Sequence, residues 1–320
     1  MTYPKCDLHR HFGGSISCFT VSKIREMPLE DVQKNMTYLE DNVRDYEAFF
    51  KKFTILDDIK WNMANTELSV QDVVWNLAQE GIHYAEIKFS INKYLKHIGM
   101  TPERTITWIA YLFDKYASHW GIEIDLILCL KHNMDKELQI AISNTIENDY
   151  VNECIAGIDI VGNENFFNAD FYVPIYEKWH SAGKACMAHV GEVNLVDNVR
   201  DAIFKLKVDR ICHGIAAVDD KEIAAASRDK LICFDVCLTS NIYTGVATED
   251  HPVTKMIDNG FIISIGTDDP VILNTTIDKE YSLFQKITKA SDDDIDDLKE
   301  STLLWSAKEI IKRKAIKNNS

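Results

Sequence analysis

The 320-residue sequence predicts a (β/α)8 TIM barrel, an α/β fold with extra helices inserted after the first strand and at the C-terminus. Three observations lead there. Eight short apolar runs rich in Ile, Val and Phe recur along the chain. Most are followed by a longer stretch with helical periodicity. Once these are paired off, no strand remains to build a second sheet or an edge.

In chain order the expected strands cover residues 6–11, 84–90, 123–131, 155–161, 184–190, 209–213, 231–237 and 261–267. Residue chemistry marks the helix boundaries between them. Thr101 followed by Pro102 reads as an N-cap with proline at the first helical position, while Gly81, Gly121, Gly183 and Gly260 stand where a helix ends ahead of a strand. The long interval between the first two strands holds the inserted helices. Within it Tyr46, Phe49, Phe50 and Phe53 form an apolar stripe at spacings of three and four. The stripe reads either as a core-facing surface or as a lid over the barrel mouth, where Phe49 and Phe53 would meet substrate. Past Tyr281 two more helical stretches follow, and the basic tail at Lys312, Arg313 and Lys314 is expected to fray. No linker, repeat or low-complexity segment interrupts residues 1–320, so the whole chain is expected to form one domain.

Composition narrows the function. With 46% hydrophobic residues and only 13 Gly and 6 Pro, the chain is expected to be globular rather than disordered, collagenous or a disulfide scaffold. A formal charge of −15 repels phosphate backbones and anionic lipid, so neither nucleic acid nor membrane is an expected partner. The eight cysteines fall mostly in apolar runs without a CxxC pair, as buried thiols in a reducing compartment would. No run approaches the roughly 18 apolar residues of a membrane span, and a cytoplasmic protein is expected.

The chemistry gathers at the strand ends. In Asp7-Leu8-His9-Arg10-His11, alternation puts His9 and His11 on one side and Leu8 and Arg10 on the other. Barrel interiors are filled by Val, Ile and Leu, so two inward histidines at the functional end need a reason, and a metal supplies one. The fifth strand ends in His189 with Glu192 just beyond it, the sixth in His213, and the eighth in Asp268-Asp269-Pro270. Three imidazoles and one carboxylate, from His9, His11, His189 and Asp268, suit one Zn²⁺ per chain with room left for water. The fourth strand ends Asp159-Ile160-Val161-Gly162, without the lysine that would bridge two metals. Neither HExxH nor the cysteine-rich deaminase pattern occurs. Glu192 can hand a proton to a substrate atom. His213 can order or deprotonate the water and stabilise the developing charge. Asp269, repelled by Asp268, can stay protonated and donate a hydrogen bond, or can be a solvated turn residue.

Together these segments resemble the adenosine deaminase family of the amidohydrolase superfamily. The matching stretches are 4–11 with Gly14-Ser15-Ile16, 84–90, Gly157-Ile158-Asp159 with Gly162 and Glu164, His189 to Glu192, 211–214, 237–241 with Thr244-Gly245, and 267–270. The resemblance implies hydrolytic deamination of a purine at C6 around one zinc, with His9, His11, His189 and Asp268 as ligands. It implies that Glu192 protonates N1, that His213 activates the water, that Asp269 bonds N7, and that the Gly162 N–H bonds N3. Adenosine and 2′-deoxyadenosine are the substrates it points to first.

One departure from the family matters; those at Lys88 and Asn163, where Arg and Asp are common, are smaller. Many members carry an acid two residues after the second histidine, against the ribose 5′-hydroxyl, where this chain has Gly13 followed by Gly14 and Ser15. That loss of charge adds space and can present N–H groups to a 5′-phosphate. A 5′-modified or N6-substituted adenine nucleotide is therefore the alternative substrate, ahead of free adenine and of a barrel that binds metal without catalysis.

Overall fold

The computed structural model describes residues 4–38 and 44–318. Eight strands form one sheet in sequence order: β1 (Lys5–His11), β2 (Ile82–Phe89), β3 (Glu123–Lys131), β4 (Gly157–Val161), β5 (Ala185–Val190), β6 (Arg210–His213), β7 (Cys233–Val236) and β8 (Ile262–Ile265). All neighbouring pairs are parallel, and helices cover the outside, as expected for a (β/α)8 barrel. Closure between β8 and β1 falls at the rim. There the Asp268 N–H donates to the His9 carbonyl at 2.8 Å and the His11 N–H donates to the Asp268 carbonyl at 2.7 Å.

Several expected strands prove shorter, for local reasons. Residue 155 is not in a strand because the Ile155 N–H still bonds the Val151 carbonyl of helix Asp149–Cys154. Leu231 closes helix Lys221–Lys230 in a left-handed conformation, φ 57°. β8 stops at Ile265, ahead of the left-handed turn at Asp268. The expected caps are present: the Thr101 hydroxyl accepts from the Arg104 N–H, and Gly121, φ 68°, ends helix Pro102–Trp120.

The basic tail does not fray. Helix Ala307–Asn318 packs across the bottom of the barrel, where Ala307 and Ile310 join Ile127, Ala185, Met187 and Cys212. Lys314 donates to Asp209 at 2.7 Å and to the Lys184 carbonyl at 2.6 Å, and Arg313 lies over the Trp305 ring. The tail's charges are used as contacts, which periodicity alone cannot reveal. The eight cysteines are free thiols, six of them buried. Among the described residues no helix is long and apolar enough to cross a membrane.

Candidate active site

Every proposed ligand stands at the C-terminal end of a strand. β1 delivers His9 and His11 to the same side, β5 delivers His189, and the turn after β8 delivers Asp268. The Nε2 atom of His189 lies 3.0 Å from that of His11 and 3.1 Å from that of His9. Oδ1 of Asp268 lies 3.3 Å from His11 Nε2 and 3.5 Å from His9 Nε2. Asp268 and His213 have φ of 61° and 67°, a conformation that costs side-chain-bearing residues about 1–3 kcal/mol and concentrates at functional sites.

Three ring nitrogens facing one another need an explanation, because they cannot all be donors. Burial holds His9 well below its usual pKa and His11 down to about 3, so both rings are neutral. At His189 the opposite nitrogen, Nδ1, lies 3.1 Å from Asp159 Oδ1. Burial opposes ionisation of Asp159, yet His189 and Lys88 outweigh it and keep the carboxyl well below its ordinary range. Asp159 therefore accepts, His189 carries its proton on Nδ1, and its Nε2 lone pair points into the cluster. Burial likewise works against the Asp268 charge, and the His9 contact and the field of His11 overcome it. Neutral imidazoles and a carboxylate whose four atoms lie within 4.8 Å of one another can hold a metal ion, and the donor set fits a borderline divalent cation.

The proton chemistry lies beside this cluster. Glu192 is held well above the usual carboxylate range by burial, then by Asp268 and Glu164, which favours its protonated form. The Tyr46 hydroxyl faces it and weakly favours ionisation, but stands outside hydrogen-bond geometry. Asp269 is buried rather than a solvated turn residue, and burial together with Asp268 raises its pKa strongly. The two adjacent carboxyls are thus pushed in opposite directions, Asp268 down and Asp269 up, and Oδ1 of Asp269 has no partner among the described residues.

The protonation of His213 follows from a chain of contacts. The Val253 N–H donates to His251 Nδ1 at 3.1 Å, which leaves the His251 proton on Nε2, 3.2 Å from Asn241 Oδ1. The Asn241 amide nitrogen then faces His213 Nδ1 at 3.2 Å as the donor. Burial holds His213 at a pKa of about 4, so the neutral ring carries its single proton on Nε2. In this state the ring can order a water and stabilise negative charge on it, but cannot take its proton there.

A cavity of about 480 Å³ opens over these groups and is lined by His11, Glu192, His213, Asp268 and Asp269. Gly162, Gly13, Gly14, Phe49 and Phe53 line it too, which unites the residues expected to bind substrate. Ser15 is the exception. It is fully buried, donates to the His11 carbonyl at 2.7 Å and accepts from Arg10 Nε at 3.2 Å, so it braces β1 instead of facing the cavity. Gly14 is required by close approach, since a Cβ there would fall 1.9 Å from Asp269 Oδ1. At Gly13 a Cβ would meet only Leu56 Cδ1, at 3.8 Å. Both readings of the aromatic stripe hold at once, because Phe49 is buried among Tyr38, Phe50 and Phe53 while also facing the cavity.

Several contributors were not assigned a part from the sequence. Asp159 orients His189, and Lys88, wholly buried, donates to Asp159 at 2.7 Å. Lys131 lines the cavity without an ion pair among the described residues, while nearby Lys93 pairs with Asp57 at 2.5 Å. Glu164 accepts from the N–H of Gly191 at 2.7 Å and of Val193 at 2.5 Å. Alternation along β4 marks Asp159 as an inward carboxylate, and that signal was available in the sequence. The position of Glu164 depends on a loop and was not.

A parallel barrel whose rim brings a cluster able to hold a metal ion together with two carboxyls of raised pKa in one cavity is the arrangement of a hydrolase of the amidohydrolase kind. The profile of the adenosine deaminase family matches residues 4–319, and the chain belongs to that family. It is a purine-deaminating hydrolase. It is 27% identical over 303 residues to the adenosine deaminase of Clostridium kluyveri, covering 91% of this chain and 86% of that one. Two solved structures share its fold. An N6-methyl-AMP deaminase from Arabidopsis thaliana superposes with a TM-score of 0.81 at 20% identity, covering 98% of this chain and 96% of that one. An amidohydrolase from Burkholderia ambifaria with bound zinc also gives 0.81 at 20% identity, covering 98% and 93%.

Proposed function

We propose that the chain is a zinc-dependent aminohydrolase converting adenosine and 2′-deoxyadenosine, with water, to inosine and 2′-deoxyinosine plus ammonia. The observation that supports it most is that Glu192, its pKa raised, lines one cavity with His11 and His189, whose ring nitrogens converge with that of His9. Zinc bound by those histidines and Asp268 supplies Lewis acidity toward a water molecule. Glu192 gives its proton to purine N1, which draws electron density from C6 and opens that carbon to attack. As the C6–O bond forms, the Glu192 carboxylate takes a proton from the attacking water. His213, with its proton on Nε2, holds the water and stabilises charge on its oxygen. The protonated Asp269 donates to N7 and the Gly162 N–H to N3, fixing the ring in the plane where C6 meets the water. The remaining hydroxyl proton passes to the amino group, the C6–N bond breaks, and the C6 carbonyl and ammonia result.

The test is ammonia release from purified protein given adenosine, deoxyadenosine, adenine, AMP and N6-methyl-AMP separately. E192Q should retain zinc and lose at least about 100-fold in kcat, because an amide cannot supply the proton. Near-normal turnover by E192Q would end this mechanism.

A second reading has its own support. Space at Gly13 and Lys131, which has no ion pair among the described residues, with Lys93 close by, favour an anionic group at the sugar end of the substrate. On that reading AMP or an N6-substituted AMP outcompetes adenosine in kcat/KM.

A further inference from the structure

We propose that Glu164 is a positioning residue that aims the Glu192 side chain, an inference that rests on the reading of Glu192 as the proton donor. Among the described residues the Glu192 carboxyl is faced by the Tyr46 hydroxyl, which stands outside hydrogen-bond geometry and so does not fix it. Its direction is therefore set by the backbone that carries it, and that backbone is pinned on both sides by one carboxylate. The two oxygens of Glu164 accept separately, Oε2 from the Gly191 N–H at 2.7 Å and Oε1 from the Val193 N–H at 2.5 Å. These are the residues immediately before and after Glu192. Asn198 holds the clamp in place, its amide donating to Glu164 Oε2 at 3.2 Å and to the Glu164 carbonyl at 3.1 Å.

The rest of the loop offers no substitute. Gly191 has φ 68°, and a Cβ there would come 2.3 Å from Val199 and 3.1 Å from the Gly214 backbone, so the loop is threaded through a narrow gap at this point. The clamp needs a carboxylate in particular. Two backbone donors converge on two acceptor oxygens, whereas glutamine would present its NH₂ to one of those N–H groups and release one side of Glu192. Glu164 itself is buried, does not line the cavity, and reaches the substrate only through Glu192.

The experiment measures kcat, KM and bound zinc for E164Q, E192Q and the E164Q/E192Q pair, on whichever of adenosine and AMP the wild type turns over faster. E164Q should lower kcat about 10- to 100-fold, the scale of loss from a misplacement of about 1 Å, while KM stays within about threefold and zinc content is unchanged. The double variant should be no slower than E192Q alone, because an effect transmitted through Glu192 vanishes when that acid is gone. E164D, which keeps the charge but withdraws it by one methylene, should fall between wild type and E164Q, and it carries the test if E164Q does not fold. Wild-type kcat in folded E164Q or E164D, or losses that multiply in the double variant, would overturn the proposal. Near-normal turnover by E192Q would instead remove the reading on which it rests.

Discussion

Asp268 and Asp269 are neighbours in sequence with opposite chemistry. Surrounded by imidazoles, Asp268 is held below the usual carboxylate range; burial and the neighbouring Asp268 push Asp269 above it. Gly14 exists in this chain to let the Asp269 side chain lie flat against β1's following turn, and any larger residue would displace it. Gly13, one residue earlier, is under no such constraint. A carboxylate there would enter the side of the cavity that holds Leu56 and Asp57. Replacing Gly13 by Asp should therefore raise the preference for adenosine over AMP by about tenfold or more, since two like charges at short range cost upward of about 1.4 kcal/mol in a partly buried site. Measured kcat/KM for the two substrates checks this, and an unchanged ratio would place the substrate's sugar end elsewhere.

At the scale of elements, strands deliver the reacting groups and the inserted helices cover them. Helix Tyr46–Lys51 is short and starts at Asp45, whose side chain accepts from the Ala48 N–H. Such a helix is marginal in isolation, so it is held by its aromatic face: Phe49 and Phe53 lie 5.4 Å apart at the ring centroids, and Phe49 stacks on Tyr38 at 6.4 Å. Phe53 is the less buried of the two and lines the cavity. F53A should raise KM roughly tenfold with kcat within a few-fold, the consequence of losing part of a phenyl contact with the substrate. Steady-state kinetics decide it, and an unaltered KM would assign the ring to packing alone.

For the whole molecule, buried charges pair across the barrel interior. Arg210 donates to Glu86 and Asp235 at 2.7 Å each and to the Leu8 carbonyl, and the Ala307 N–H donates to Glu86 at 2.6 Å, tying the last helix to the second strand. In helix Ile277–Thr288, Glu280 accepts from the Thr239 N–H at 3.1 Å and from the Thr275 hydroxyl at 2.6 Å, and burial pushes its pKa up to about 7 from an ordinary 4.5. Between those two values the folded chain keeps a proton that the unfolded chain has released. Stability should therefore fall as pH rises from about 4.5 through 7, by on the order of a few kcal/mol, and level off above. E280Q, neutral at every pH and able to keep both contacts, should show a flatter profile in urea denaturation at pH 5 and pH 8. An identical pH dependence in both proteins would show that Glu280 titrates normally.

The barrel was legible in the residue pattern, because alternation and periodicity are local properties repeated eight times, and so was the set of side chains that reach the rim, because strand parity sets the face of His9, His11 and His189. The sequence did not determine where strands begin: residues 155 and 231 are as apolar as their neighbours, and only their hydrogen bonds to the preceding helix remove them from the sheet. It misplaced Ser15 for the same kind of reason, since a hydroxyl goes to whichever polar group the fold sets within reach, here Arg10 and the His11 carbonyl. The protonation states of Glu192, Asp269 and His213, the Glu164 clamp and the use of the basic tail were decided by tertiary structure. Each depends on burial or on a partner far away in the chain, and neither quantity is written in any short stretch of residues.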